Sequence, residues 1–244
     1  MLRHMSEQAA RDCAAAVSGL AAAFMLDGAT YARGGALGFN GFDFYAAGRG
    51  GVLGDVDADV VAAGFVFFNP QTVRTAWDAA ASVLPRAEAA AAFAECGHAW
   101  AEAHLADDLD VARLAELAGR VAASASPAGA PVFAGWRAMP LPSSPKAAAL
   151  RQCNALRELR MARHGSAVIA AGIAPADAVR HRSPHLTAIF GWDGEVSDPA
   201  AVQAAWDDAE DATNRALGRD LDALSDAEQG ELVALLNEAL TTQH

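Results

Sequence analysis

Apolar residues recur at three- and four-residue steps along most of this chain, the spacing that lays one apolar stripe along an α-helix. Residues 6–25 show it plainly, with Ala10, Cys13, Val17, Leu20 and Phe24 on one side. Asp55-Val-Asp-Ala-Asp-Val predicts a helix start, its carboxylates suited to a first turn, and that helix runs to about Phe68. Asn69-Pro70 ends it, because proline disfavours the α conformation in its predecessor. Pro70 then opens a helix through Trp77 to about Val83, and Pro85 a long alanine-rich one to about Leu105. Asp107-Asp108 begins the next, to about Ala123. Ser124–Pro131 and Pro140–Pro145 read as connections. Lys146–Ala162 is a predicted helix that His164-Gly165 breaks, followed by a short helix Ser166–Ala171, a turn at Gly172 and a helix Pro175–Arg182. Helices over about 198–217 and 225–241 close the pattern, the second opened by Ser225-Asp-Ala-Glu228 at capping-box spacing. Thr187–Trp192 has the make-up of a short strand.

Composition sharpens the fold class. The 53% hydrophobic content is dominated by alanine, the best helix former and a residue depleted in strands. The expectation is an all-α, multi-helix bundle with a helix-turn-helix segment and little or no sheet. It divides into an N-terminal helical region, 6–140, and a helix-turn-helix-like C-terminal region, 145–242. Within the first, residues 27–54 stand apart: nine glycines interrupt a stretch rich in Phe and Tyr. Three cysteines, far apart and odd in number, suit a reducing compartment and buried packing roles. No run reaches the about 18 uninterrupted apolar residues of a membrane span, so a cytoplasmic protein without a membrane partner is expected.

Charge is distributed unevenly. The chain carries −12 overall. From Lys146 to Arg182 seven cations face only Glu158 and Asp177, so that island holds 7 − 2 = +5 and the remainder −17. Downstream, residues 191–244 hold thirteen Asp and Glu against Arg215 and Arg219. The island either presents a basic surface or is neutralised internally by that acidic region. Its order of a longer helix, Gly172 and a helix ending Arg180-His181-Arg182 has the outline of a helix-turn-helix. Arg160, Arg163, Arg180, His181 and Arg182 are therefore the candidate DNA contacts, suited to base edges and phosphates.

A second chemistry centres on Gly48-Arg-Gly-Gly-Val-Leu-Gly54. Exposed amides there could hold an anion with help from Arg49; the plainer alternative is a tight turn in which Arg49 pairs internally. It is neither a Walker loop nor a dinucleotide fingerprint. The aromatic residues around it form either core or an apolar pocket, and the candidate ligand set is Phe44, Tyr45, Arg49, Phe68, Asn69 and His164. Glu158 and His164 become an acid–base pair only if the helix breaks at His164, since six residues otherwise place them on different sides. Metal-ligand spacing is absent: Pro184 separates His181 from His185, His98 and His104 are six apart, and there is no His-Glu-x-x-His. No cofactor is indicated.

Several of these motifs together resemble an actinobacterial family of helix-turn-helix proteins related to the MarR type. Phe44 and Tyr45 precede the Gly48–Gly54 motif, with Val52 where the family has proline, and Phe68-Asn69-Pro70 matches its aromatic-x-Pro element. In Leu156–His164 the residues Glu158, Arg160 and His164 match a third motif. The family's wing is not recognisable in His185–Val196. The resemblance implies a homodimeric, ligand-responsive transcriptional regulator with a small-molecule ligand and double-stranded DNA as partners. Two other functions stay open: an enzyme that anchors an anionic substrate on Arg49 and moves protons through His164 or Glu158, and a ligand-sequestering protein without DNA binding.

Overall fold

The computed structural model describes residues 2–196 and 198–243, and among them the chain forms helices and turns with no strand. In order, the helices are α1 (Leu2–Asp12), α2 (Ala14–Leu26), α3 (Gly28–Leu37), α4 (Gly41–Gly50), α5 (Ala58–Phe65), α6 (Pro70–Ala80), α7 (Arg86–His104), α8 (Val111–Ser124), α9 (Pro131–Ala138), α10 (Pro145–Ala170), α11 (Pro175–Arg182), α12 (Pro199–Leu221) and α13 (Asp226–Thr241). This is the all-α bundle that alanine content and helical periodicity imply. Capping fixes many boundaries. Asp57, Asn69, Ser144 and Asp198 each accept a hydrogen bond from an N–H of the first turn that follows. Ser225 and Glu228 complete the expected capping box.

The departures from the sequence reading have physical causes. Residues 6–25 are not one helix: the run is interrupted at Cys13, between α1 and α2. The glycine-rich stretch is mostly helical, as α3 and α4. Two of its glycines are required by close approach: a Cβ on Gly34 would lie 2.6 Å from the Phe44 side chain, and one on Gly48 2.4 Å from Phe93. His164-Gly165 does not break α10. A Cβ on Gly165 would sit 2.9 Å from Val66, so this glycine makes room for a neighbour inside a continuous helix. The Ser124–Pro131 connection leads into α9, whose Phe133 and Trp136 are buried. Thr187–Trp192 forms turns instead of a strand.

Helix α10 is the axis of the molecule. Its buried residues, from Ala147 to Val168, fall on every side, and α2, α7, α8, α9 and α12 pack around it. Helix α1 lies on α12 and α13, while α4 lies on α6 and α7. By length and composition Met5–Leu26 could cross a membrane, yet Val17, Leu20, Ala21 and Phe24 of this segment belong to the protein core. That core joins both halves of the chain, from Leu20 and Phe44 to Leu156 and Leu236. A second, smaller apolar cluster of Phe67, Val168, Ile173, Val179 and Trp206 seats α11 against α10 and α12.

Candidate functional site

Helices α10 and α11 meet across Ala171-Gly172-Ile173-Ala174. Gly172 adopts φ 78°, a left-handed conformation that a glycine takes without strain, and Pro175 fits the first turn of α11. The buried face of α11, Ala178 and Val179, is what holds it down. Its C-terminal residues project toward α12, where His181 lies 5.5 Å from the Trp206 ring.

Beneath α11 is a cleft of about 160 Å³, lined by Phe67, His164, Val179, Phe190, Trp206 and Arg182 among others. Phe67 reaches it from an unusual turn: Val66 has φ 57°, an outlier for a β-branched residue, and is braced against Gly165. Trp192 Nε1 donates to the Phe67 carbonyl at 2.7 Å, and the amide of Asn69 donates to the Phe190 carbonyl at 2.8 Å. The segment after α11, where a wing would stand, is thus folded back onto Phe67–Asn69.

His164 is the polar centre of the cleft. Its Nδ1 is 3.1 Å from Thr213 Oγ1 and 3.6 Å from Glu210 Oε1. Thr213 spends its own hydroxyl proton on the Ala209 carbonyl at 2.7 Å, so its oxygen accepts and His164 donates from Nδ1. Nε2 is then the acceptor. Burial is the main reason that the imidazole pKa falls to about 4; Arg160 adds to this and Glu210 opposes it. A neutral ring with a fixed tautomer, edge-on to Trp206 at 5.0 Å, is the result.

The other members of the expected ligand set lie elsewhere. Phe44 and Tyr45 are packed core residues, their rings 5.4 and 6.2 Å from Phe93. Phe68 stacks on Phe190 at 4.2 Å, outside the cleft lining. Asn69 caps α6 and donates to the Gly191 carbonyl. Arg49, 1% exposed, grips Glu158 with two hydrogen bonds of 2.9 and 2.8 Å. Arg49 and His164 therefore do not converge, and Glu158 and His164 point to different neighbours along an unbroken α10.

The basic island is largely neutralised. Arg160 pairs with Glu210 at 2.9 Å. Arg163 forks onto Asp220 and also donates to the carbonyls of Ser126 and Ala128. Arg157 pairs with Glu158, Lys146 with Asp107, and Arg180 with Asp177 and the Asp193 carbonyl. Among the described residues only Arg151 and Arg182 of the island make no ion pair, and of these only Arg182 is exposed. The acids of α12 that the sequence offered as internal counter-charge fill that role. Phe67, Phe190, Thr213 and Trp206 were not singled out as site residues from the sequence. Trp206, a tryptophan within the acidic segment, is the one signal that could have pointed there.

The model of the helix-turn-helix family matches residues 10–243. The chain belongs to the helix-turn-helix family. No curated protein and no solved structure matches it. The match covers nearly the whole chain of this helix-turn-helix protein, α10 and α11 included.

Proposed function

We propose that this helix-turn-helix protein binds a small, ring-sized molecule in the cleft under α11. The observation that carries this reading is the setting of His164: a neutral imidazole, its Nδ1–H committed to Thr213, among Phe67, Phe190 and Trp206. About 160 Å³ is close to the ~150 Å³ that accommodates a benzene-sized guest. Aromatic walls with one acceptor suit a phenol-like ligand whose O–H or N–H donates to Nε2, and exposed Arg182 at the rim suits an added carboxylate. Titration with phenol and hydroxybenzoates, followed by Trp206 fluorescence with Trp206→Phe as control, tests it. Saturable quenching that His164→Leu abolishes supports the proposal; no saturable change, together with native mass spectra showing only the bare chain, overturns it.

A second reading, favoured by family membership and by Arg182 and His181 at the end of α11, is a ligand-responsive transcriptional regulator of the MarR-related kind. It would act as a homodimer on a palindromic site. Because Arg160, Arg163 and Arg180 are already paired, affinity for DNA would be low and carried by few phosphate contacts. Fluorescence anisotropy against genomic fragments at low salt decides it: no salt-sensitive complex removes the regulator.

A further inference from the structure

The turn over 51–54, the connection from α6 and the first turn of α7 border an open groove of about 400 Å³. Asp55, Leu84, Pro85, Arg86 and Ala87 are among the residues that line it. The turn is held tightly in place. A Cβ on Gly51 would stand 2.3 Å from the Arg86 carbonyl oxygen, and Trp77 Nε1 donates to the Val56 carbonyl at 3.0 Å. The glycine motif that the sequence offers as an anion cradle therefore meets Arg86, while Arg49 is committed to Glu158 in the core.

Arg86 is 9% exposed and stands over the Trp77 ring, its Cζ 3.6 Å from the centroid. Its Nη1 is buried with no hydrogen-bond partner in the protein. No carboxylate among the described residues pairs with it; Asp55 and Asp78 act on it only from longer range, and burial holds the guanidinium below its ordinary pKa. Buried cations are ordinarily paired, as Arg49 and Arg160 are in this chain. Arg86 also opens α7, a helix of 19 residues. The first helical bond runs from the Ala89 N–H to the Pro85 carbonyl at 2.9 Å, and Pro85 supplies no side-chain cap. The amides of Arg86, Ala87 and Glu88 thus have no acceptor within the helix, at the end where its dipole is positive.

The groove also makes the opposite demand. Asp55 belongs to its lining, is exposed and forms no ion pair among the described residues. A bare anion would be drawn to Arg86 and repelled by Asp55. A molecule with both a carboxylate and an ammonium answers each group, and Ala81, Leu84 and Pro85 leave an apolar wall for the remainder. We propose that this groove binds a free α-amino acid with an apolar side chain, its carboxylate on Arg86 and the first-turn amides of α7 and its ammonium on Asp55. The groove shares no residue with the His164 cleft, so it stands apart from the ligand reading there.

Isothermal titration of the full chain with L-leucine and L-phenylalanine tests it. Each is compared with its analogues lacking one charged group: 4-methylpentanoate and 3-methylbutylamine for leucine, 3-phenylpropanoate and phenethylamine for phenylalanine. At least one amino acid should bind saturably, with both of its analogues weaker by about tenfold or more. Arg86→Met should weaken that binding about tenfold and Asp55→Asn several-fold, with phenol binding at His164 unchanged in both. In wild-type NMR spectra the amide resonances of Arg86, Ala87 and Glu88 should move on saturation, which decides the matter even if Arg86→Met does not fold. The proposal is overturned if neither amino acid gives a saturable signal, or if the analogue without the amino group binds as tightly. Binding that leaves the first-turn amides unmoved, or that Arg86→Met does not weaken, overturns it equally.

Discussion

Arg49 on α4 and Glu158 on α10, 109 residues apart, meet in a two-point ion pair buried in the core, and Arg157 adds a third hydrogen bond to the same carboxylate. The Arg49 guanidinium also lies 4.3 Å from the centre of the Phe65 ring. Burial alone would raise the Glu158 pKa, but the two arginines hold it below the usual carboxylate range. Removing one partner leaves an uncompensated charge in the core, which typically costs about 3–5 kcal/mol. Glu158→Leu should therefore destabilise strongly in urea unfolding, and Arg49→Met with Glu158→Leu should recover much of the loss. A single variant within about 1 kcal/mol of wild type would contradict this account of the core.

The same carboxylate has a pH signature. Its folded pKa lies below its unfolded value, so its contribution is fully present above about 4.5 and is lost as pH falls through the folded value. Acid unfolding monitored by circular dichroism should be shallower below pH about 4.5 in the double variant than in wild type.

His164 titrates with the same sign in a different window. A depressed histidine pKa means the unfolded chain binds a proton first, so stability is complete above about 6.5 and declines as pH falls toward about 4. The full effect is about 3 kcal/mol, from 1.36 kcal/mol per pKa unit. Urea midpoints measured between pH 7 and 4 should fall in wild type and stay flatter in His164→Leu. Equal slopes would show that burial by Trp206 and Phe67 does not keep the ring neutral.

What the sequence made legible was local. The caps at Asp57 and Ser225, the proline starts of α6 and α11, and the turn at Gly172 rest on residues close together in the chain. Glycine was ambiguous. In Gly48 and Gly165 it marks contact with Phe93 and Val66, which lie 45 and 99 positions away, and no local pattern separates that use from a turn. The charge island posed the same problem at larger scale: Arg160 and Arg163 reach their carboxylates on α12, 50 and 57 residues downstream. The site at His164 depends on Phe67, Phe190, Trp206 and Thr213 arriving from separate elements, and only folding brings them together.

Arg182 is the exposed cation that remains on α11. If the protein binds DNA, Arg182→Ala should weaken binding by a similar factor on every sequence and reduce the salt slope by about one. Anisotropy titrations between low and moderate salt give both quantities. A sequence-selective loss would instead place Arg182 against a base edge.

Gly48 offers a test of the packing around α4. It lies inside the helix, where alanine would ordinarily add stability by about 1 kcal/mol through helix propensity. A Cβ there, however, would stand 2.4 Å from Phe93 Cγ and 2.5 Å from its Cβ. Those atoms are near the backbone of α7 and have little freedom to retreat, and Phe93 is itself wedged against Phe24 and Phe44. Overpacking of this kind costs about 1–3 kcal/mol or more, so clash outweighs propensity. Gly48→Ala should lower the urea midpoint, and Gly48→Ala with Phe93→Ala, which removes the clashing Cγ, should cost less than the sum of the two single variants. A Gly48→Ala protein more stable than wild type would mean that α4 and α7 are farther apart than the structure places them.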